Sequence, residues 1–403
     1  MGRLPTHTSS GRLRRTLLVE EQLDQAHQSE AQVLLTGPGV HDFLVTRAEP
    51  GPGHPPLQST HLGPRHPDLG WIEEARGALD RWATADPGSP TSSVLGGGAI
   101  AAAEAAFSDL HSGRPALLLP SASYALRVGL LALGVTADDE VICAAIDWPA
   151  GFAAIASLGA TPVRVAVDPQ TLTLDPGAAA AARTRQTRAV VACHLHGICA
   201  DVPAIRLLLP GVGILEDAAQ AFGCRLDGRV AGTLGDAAVL SLGPGKQIDA
   251  GEGGVLLCDR VARHDRAIAA ACHPLRQLLT GMPDPDPVAF AIRPHPMAAV
   301  LALHRLAGWS PTAAQSAHAE TARRLAGDGS VRLLGDSRRH ESSLAHVPVL
   351  LSARRAEEPP PGVRWSRSGA QVLPGLTGND HKLTTRLLAR VRLATCTSPV
   401  PGG

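Results

Sequence analysis

The sequence predicts an α/β fold, with a large domain built on a mainly parallel, mixed sheet flanked by helices and a smaller C-terminal α+β domain. Two patterns carry this expectation. From about residue 95 to 260, short apolar runs bounded by turn residues alternate with stretches of helical periodicity, as in a sheet covered on both faces. Beyond about residue 260 helical stretches dominate, and strand-like runs return only near the end. The chain of 403 residues, 44% apolar, is also long enough for a sizeable core and more than one domain.

In chain order, residues 1–70 read as an N-terminal extension. A helix over RRTLLVEEQLDQAHQSEAQVLL is followed by a Pro/Gly/His-rich linker, TRAEPGPGHPPLQSTHLGPRHPDLG, which cannot sustain a helix or a central strand. The large domain is expected over residues 71–265 and opens with helices at WIEEARGALDRWAT and AIAAAEAAFSDLHSG. PALLLP reads as a strand, SASYALRVGLLALGV as a helix, DEVICAA as a strand, PAGFAAIASLG as a helix and TPVRVAVD as a strand. A helix near PGAAAAARTRQ precedes the runs AVVACHLH, VGILED, AAVLSL and GGVLLCD. The smaller domain is expected over residues 266–403 and looks shortened. Its pieces are helices at RVARHDRAIAAACHPLRQLL, HPMAAVLALHRLAGW and TAAQSAHAETARRLAG, then HVPVLLSA and LLARVRLATCT.

Composition narrows the function. A formal net charge of +0 argues against bulk attraction to nucleic acid or an anionic membrane, and 3% aromatic residues leave little for base stacking. No apolar run reaches the ~18 residues of a membrane span, and the N-terminus lacks the apolar segment of a secretory signal. Seven cysteines, an odd number spread through core-like segments, read as the reduced thiols of a cytoplasmic protein. The cluster CHLHGIC (residues 193–199) has zinc-type ligands but no second pair at finger spacing, and it reads as a strand entering a glycine turn. No metal is expected.

Lysine occurs at two positions, Lys246 and Lys382, in a chain that otherwise writes arginine. Lys246 lies in SLGPGKQIDAGEGG, a glycine-rich turn. Arginine stays charged, whereas a desolvated lysine can lose its proton and attack a carbonyl to form a Schiff base. Upstream, VGILEDAAQAFG ends an apolar strand on Glu216 and Asp217 and is expected to start a helix carrying Gln220. An acid at the carboxyl end of a buried strand needs a cationic or hydrogen-bonding partner. Between PALLLP and the next helix, Ser121, Ala122 and Ser123 offer backbone amides suited to a phosphate. A lysine for an imine, a carboxylate for a ring nitrogen and a helix start for a phosphate together match the needs of pyridoxal 5'-phosphate.

The stretch GILEDAAQAFG, followed by GRVAGTLGDAAVLSLGPGKQIDAGEGGVLL, resembles the DegT/DnrJ/StrS-type sugar aminotransferases of pyridoxal phosphate fold type I. The resemblance runs back through PSASYALRVGLLALGVTADDEVICAAIDWPA and SLGATPVRVAVDPQTLTLDP, over roughly residues 95–260. It implies that Lys246 forms the Schiff base and moves a proton at the substrate, and that Asp217 pairs with the ring nitrogen. Gln220 would face the ring hydroxyl. Ser241 and the amides of Ala122 and Ser123 would hold the phosphate beside Ser121, and Trp148 would stack on the ring. It further implies a homodimer with the site at the subunit interface. The reaction would be amino transfer from an amino acid donor, glutamate or glutamine, to a keto sugar or similar small carbonyl intermediate of specialised metabolism.

The chain also departs from the family pattern. Ala122 replaces a glycine of the phosphate turn, and AIRPHPMAA carries Ala291 where the family has an interface asparagine. Arg293 stands at the family's arginine and is a candidate substrate contact. PGVRWSRSGAQVLPGL replaces longer substrate loops. Two other readings stay open from sequence: a different pyridoxal phosphate reaction, such as elimination, dehydration or carbon–carbon bond formation, and a non-catalytic regulator or scaffold on the same fold.

Overall fold

The alternating runs fold as alternating elements. The computed structural model describes residues 73, 75–80, 95–286, 291–326, 331–336, 338–344, 347–351, 363–367, 371–372 and 387–393. By contacts the chain divides into Met1–His54 and Pro55–Gly403, and every described residue falls in the second unit. The helix and linker expected before residue 70 lie outside the described residues.

Residues 75–80 are helical, with Ala78 in the core. Helix α1 (Ala99–Leu110) leads into β1 (Ala116–Leu119) and α2 (Ala122–Ala132). Then come β2 (Glu140–Ala144), β3 (Ile146–Asp147), α3 (Pro149–Ala156), β4 (Thr161–Val165) and α4 (Pro176–Ala181). They are followed by β5 (Thr187–Cys193), α5 (Val202–Leu208) and β6 (Gly213–Asp217). A short hairpin, β7 (Arg225–Leu226) and β8 (Arg229–Val230), precedes β9 (Ala237–Ser241) and β10 (Gly254–Cys258). Several starts are set by sequence chemistry. Asp175 and Asp201 accept from the amides of Ala178 and Ala204 at the N-termini of α4 and α5, each helix with a proline in its first turn.

Seven strands form one sheet in the order β1-β10-β9-β6-β5-β2-β4. β9, β6, β5, β2 and β4 pair in parallel, while β10 runs antiparallel to both β1 and β9. Side chains alternate between the faces, so Leu117 and Leu119 join one apolar cluster with Leu126, Val191, Leu215 and Val239. Leu118 joins the opposite cluster with Phe107, Ile142, Ile214 and Leu240. Burial on both faces is why these strands read as continuous apolar runs.

After β10 the chain turns helical, with one correction to expectation. The single helix read from RVARHDRAIAAACHPLRQLL is two, α6 (Val261–Ala271) and α7 (Pro274–Leu279). Pro274 has no amide to continue the hydrogen-bond ladder, so it becomes the first residue of a new helix, and His273 Nδ1 accepts from the Leu275 amide. α8 (Pro296–Gly308) packs on α1, and α9 (Thr312–Leu325) lies against a second sheet. That sheet holds β11 (Val331–Leu333), β13 (Val347–Leu351), β16 (Leu387–Leu393) and β14 (Val363–Arg367), all antiparallel neighbours in that order. Two short strands return to the large sheet's periphery. β12 (His340–Glu341) pairs with β7, and β15 (Gln371–Val372) pairs with β3. No described helix is long and apolar enough to cross a membrane.

One buried network fixes the centre of the large sheet. Glu216, 0% exposed, accepts from His194 Nε2 at 2.8 Å and from the amides of Gly232 (2.8 Å), Leu234 (2.7 Å) and Gly235 (2.6 Å). The Ala200 amide donates to His194 Nδ1 at 3.0 Å, so that nitrogen is unprotonated and Nε2 carries the hydrogen given to Glu216. Burial pushes the Glu216 carboxyl up, but the bonds from His194 and from the Gly235 and Gly232 amides outweigh it and hold the group below the usual range. Its contribution to stability is therefore complete above the ordinary carboxyl value and is lost as pH falls through the lower folded value.

Two stability outcomes follow from this arrangement. Glu216→Ala strips the acceptor from three amides and a histidine at once and should cost about 4 kcal/mol or more, read as a fall in the urea midpoint. Ala291, ahead of α8, has φ +50, a left-handed conformation that strains alanine and suits glycine or asparagine. Ala291→Gly should therefore raise stability by about 1 kcal/mol in the same assay.

Candidate active site

The row of strand ends at the carboxyl edge of the sheet gathers the residues singled out in the sequence. Leu119 of β1 sits in register with Gly254 of β10, and Gly254 in register with Ser241 of β9. Asp217 closes β6 opposite Val239 of β9 on one side and Cys193 of β5 on the other. Ser121, Ser241 and Asp217 thus emerge along one edge although they are far apart in sequence. Ligands in open α/β sheets bind at this edge.

Ser121 is the N-cap of α2, and its Oγ accepts from the Tyr124 amide at 3.3 Å. Ala122 and Ser123 form the first turn, and Ser123 is exposed there. The turn is packed hard against Gly254, where a Cβ would lie 2.5 Å from the Ala122 nitrogen and the Ser121 carbonyl. Only glycine fits at that point of β10. Ser241 Oγ accepts from the Gly243 amide at 3.4 Å. The result is a small-residue turn, a helix N-terminus and a hydroxyl, which suits a phosphate dianion.

Lys246 projects from the loop between β9 and β10, and local bonds shape that loop. Its own amide donates to the Gly243 carbonyl at 3.2 Å, while Asp249 accepts from the amides of Gly245 (2.7 Å) and Gly251 (2.9 Å). Leu242 and Gly253 close the base at 2.9 Å. Next to the lysine, Gln247 Nε2 donates to the Ser343 carbonyl (3.0 Å) and Oγ (2.8 Å), tying the loop to the segment after β12. Ser343 Oγ in turn bonds the Phe222 carbonyl. The lysine is half-buried, and its Nζ stands 6.0 Å from the centroid of the Trp148 ring. Trp148, 42% exposed, is the residue from which α3 starts.

Asp217 is 3% exposed, and its Oδ1 accepts from the Ala219 amide at 3.1 Å. Burial pushes its carboxyl up, against the pull of the Ala219 amide, the Lys246 charge and His194. The helix expected after EDAAQ does not form among these residues. Residues 218–224 make two successive turns instead, Ala221 N–H to Ala218 (2.9 Å) and Cys224 N–H to Ala221 (3.0 Å). Gly223 there has φ +73, outside helical geometry, and a Cβ at that position would strike the Trp309 ring. Within these turns Gln220 Oε1 accepts from the His196 amide at 3.1 Å, which leaves its NH₂ as the group able to donate to a ring hydroxyl oxygen.

Lys246, Trp148 and Asp217 are thus brought together, with Gln220, Ser241 and the Ser121–Ser123 turn on the same edge. Arg293 is exposed on the segment before α8, one residue after Ile292, which lines a groove of about 490 Å³ with Ser123, Tyr124 and Arg127. The CHLHGIC cluster is engaged in bonds of its own. His194 serves Glu216 and Ala200, and the Cys193 thiol serves Asp147. Sequence reasoning missed Asp147. It is 3% exposed, its Oδ1 accepts from the Trp148 amide at 2.6 Å, and burial pushes its carboxyl up to about 7. The only signal was an acid interrupting the apolar run before Trp148.

The residues present fit pyridoxal phosphate. A buried carboxylate that burial destabilises is relieved by a protonated ring nitrogen, a ring face is available at Trp148, and a Cβ-free approach exists at Gly254.

Comparison with known proteins agrees with this architecture. The chain is 36% identical over 198 residues to an L-glutamine:2-deoxy-scyllo-inosose aminotransferase of Streptoalloteichus tenebrarius, covering 46% of each protein. It spans about half the length of the curated relatives it matches. Among solved structures, 3-amino-5-hydroxybenzoic acid synthase superposes with TM-score 0.66 at 23% identity, over 79% of this chain and 90% of that one. DesI, solved with its TDP-sugar product, superposes with TM-score 0.61 at 28% identity, over 71% of both. Fold type I is the shared architecture. The DegT/DnrJ/EryC1/StrS aminotransferase family description matches residues 90–358, and the chain belongs to that family.

Proposed function

We propose that the protein is a pyridoxal phosphate-dependent aminotransferase that moves an amino group from glutamine or glutamate to a keto sugar or related cyclic ketone. The observation that carries this reading is the Lys246 ammonium held 6.0 Å over the Trp148 ring, with its charge acting on buried Asp217. A scaffold has no use for a lysine aimed in this way. The donor class is supported by relatives named for L-glutamine and keto-inositol substrates. Large and small domains over residues 71–265 and 266–403 belong to this reading, as does a homodimer. Six described cysteines, all buried and free, support a reducing, cytoplasmic setting.

Bound pyridoxal phosphate supplies an electron sink that stabilises charge at the substrate α-carbon. This chain's residues do the rest. Lys246 would be the residue that holds the cofactor and moves the proton at the substrate α-carbon. Asp217 holds the proton on the ring nitrogen, and Gln220 donates to the ring hydroxyl oxygen. Ser241 and the α2 amides bind the phosphate, while Trp148 keeps water off one ring face. Over two half-reactions the donor's amino group and the acceptor's carbonyl oxygen exchange places, so atoms balance without an external oxidant.

Cofactor-free protein mixed with pyridoxal phosphate should gain a visible absorption band that Lys246→Ala lacks. L-glutamine should bleach the band as pyridoxamine phosphate accumulates, and a keto-inositol should restore it. Lys246→Ala should also lower turnover by about a thousandfold or more. Restoration of the band with the donor alone would indicate elimination instead, and a variant that matches wild type would remove the enzymatic reading. Light scattering at micromolar concentration should report a dimer. A fully active monomer would contradict it.

A further inference from the structure

Asp147 is a buried acid that the proposed chemistry leaves unused, and its surroundings give it a task. It closes β3, directly before Trp148, and its Oδ1 accepts from the Trp148 amide at 2.6 Å. From β5 the Cys193 thiol donates to it, and Cys193 is the register partner of Asp217 on β6. The thiol therefore stands between two carboxylates, each 3% exposed. Around Asp147, β2 contributes the Cys143 thiol, β5 Cys193 and β6 Asp217, while β15 brings the uncharged Gln371 into register. Arg164 of β4 acts on the Cys143 thiol, while the groups shifting the Asp147 carboxyl are burial, the Cys193 thiol, the Asp217 charge and the Trp148 amide.

Two neighbouring buried carboxylates do not both ionise cheaply, and the one nearer a cation takes the charge. The Lys246 cation acts on Asp217 and is not among the groups shifting Asp147. The negative charge thus settles on Asp217 and the proton on Asp147. Burial, then the Asp217 charge, push Asp147 up to about 7, against the Cys193 thiol and the Trp148 amide.

We propose that Asp147 is a positioning residue that stores a proton beside Asp217, and that entry of the cofactor ring drives this proton off. The inference rests on the reading of the site as a pyridoxal phosphate site. A protonated ring nitrogen neutralises Asp217 and so removes the neighbouring charge that holds the proton on Asp147. Binding of the cofactor and ionisation of Asp147 become linked, and the linkage keeps Asp217 anionic for the ring over the range in which Asp147 titrates. Asp147 also anchors the backbone of Trp148, so its state is coupled to the ring-stacking residue.

The test is a proton count. Pyridoxal phosphate is titrated calorimetrically into cofactor-free protein at pH 7 in two buffers of different ionisation enthalpy. Wild type should release up to about half a proton more per chain than Asp147→Asn, which keeps an acceptor for the Trp148 amide but cannot titrate. Equal counts overturn the proposal. Infrared spectra of the cofactor-free chain give an independent reading. A protonated-carboxyl C=O band should be present in wild type, absent from Asp147→Asn, moved in Cys193→Ala and diminished on adding pyridoxal phosphate to wild type. If Asp147→Asn does not fold, the wild-type and Cys193→Ala spectra decide, and a band that ignores both the thiol and the cofactor refutes the idea. If wild type binds no pyridoxal phosphate, the functional reading fails, while the free-chain band still reports whether Asp147 holds a proton.

Discussion

The geometry of the site depends on one carboxylate that takes no part in its chemistry. Glu216 gathers a side chain from the end of β5 and three amides from the loop entering β9, and it does so from β6, which lies between those strands. It therefore clamps three adjacent strands across the middle of the sheet, from the end of β5 to the start of β9. Asp217 is the next residue, so the clamp decides where the functional acid stands. The Lys246 loop begins where β9 ends, so the same clamp decides where the lysine starts. A buried charge with so many donors behaves as a fixed structural anion, and removing it leaves several unpaired groups rather than one.

Pairs of neighbours with opposite duties recur along this edge. Ser121 caps α2 while the next two residues present amides, and Gly254 opposite them carries no side chain so that the turn can close down. Lys246 has room to act because its neighbours are bound elsewhere, Gln247 to Ser343 and Gly245 to Asp249. The loop is glycine-rich because it must turn sharply, and rigid because Asp249 spans it. In such a loop a lysine is presented in one place with little lost freedom left to pay for during the reaction.

Much of this was legible in the sequence, for identifiable reasons. Parallel strands buried on both faces leave unbroken apolar runs, so β5, β6, β9 and β10 were readable as strands with their order along the chain. Lys246 stood out as a lysine in an arginine-rich chain, and Asp217, Ser121 and Ser241 because charged or small polar residues at the ends of such runs need a reason. What failed to show were features set by tertiary packing. The turn at Gly223 is packed under the Trp309 ring, which is brought there from a segment distant in sequence. The break at Pro274 was visible in principle, since proline there forbids one continuous helix. Strands β14 and β15 fell within a region read as lost loops, although β15 returns to pair beside Asp147. Asp147 was hidden because one acid between Ile146 and Trp148 looks like a strand end, and its meaning depends on Cys193 and Asp217, which are brought near only by the sheet.

Three acids at this edge show how supply of donors, rather than residue type, assigns a role. Glu216 has four donors and is held ionised, so it does not respond to what enters the site. Asp217 has one amide and the Lys246 charge, and burial still leaves its carboxyl pushed up and in need of a cation. Asp147 has a thiol and an amide, with no cation among the described groups that shift it, and burial pushes its carboxyl up to about 7. A ligand carrying positive charge on a ring nitrogen therefore meets a graded response. The first acid stays as it is, the second gains a partner, and the third is freed to ionise once its neighbour is neutralised. Replacing either aspartate by a better-satisfied acid would remove that response while leaving the net charge of the sequence unchanged. The lysine that stands out in an arginine-rich chain is thus one part of the arrangement, and the carboxylates beneath it decide which charge the site will accept.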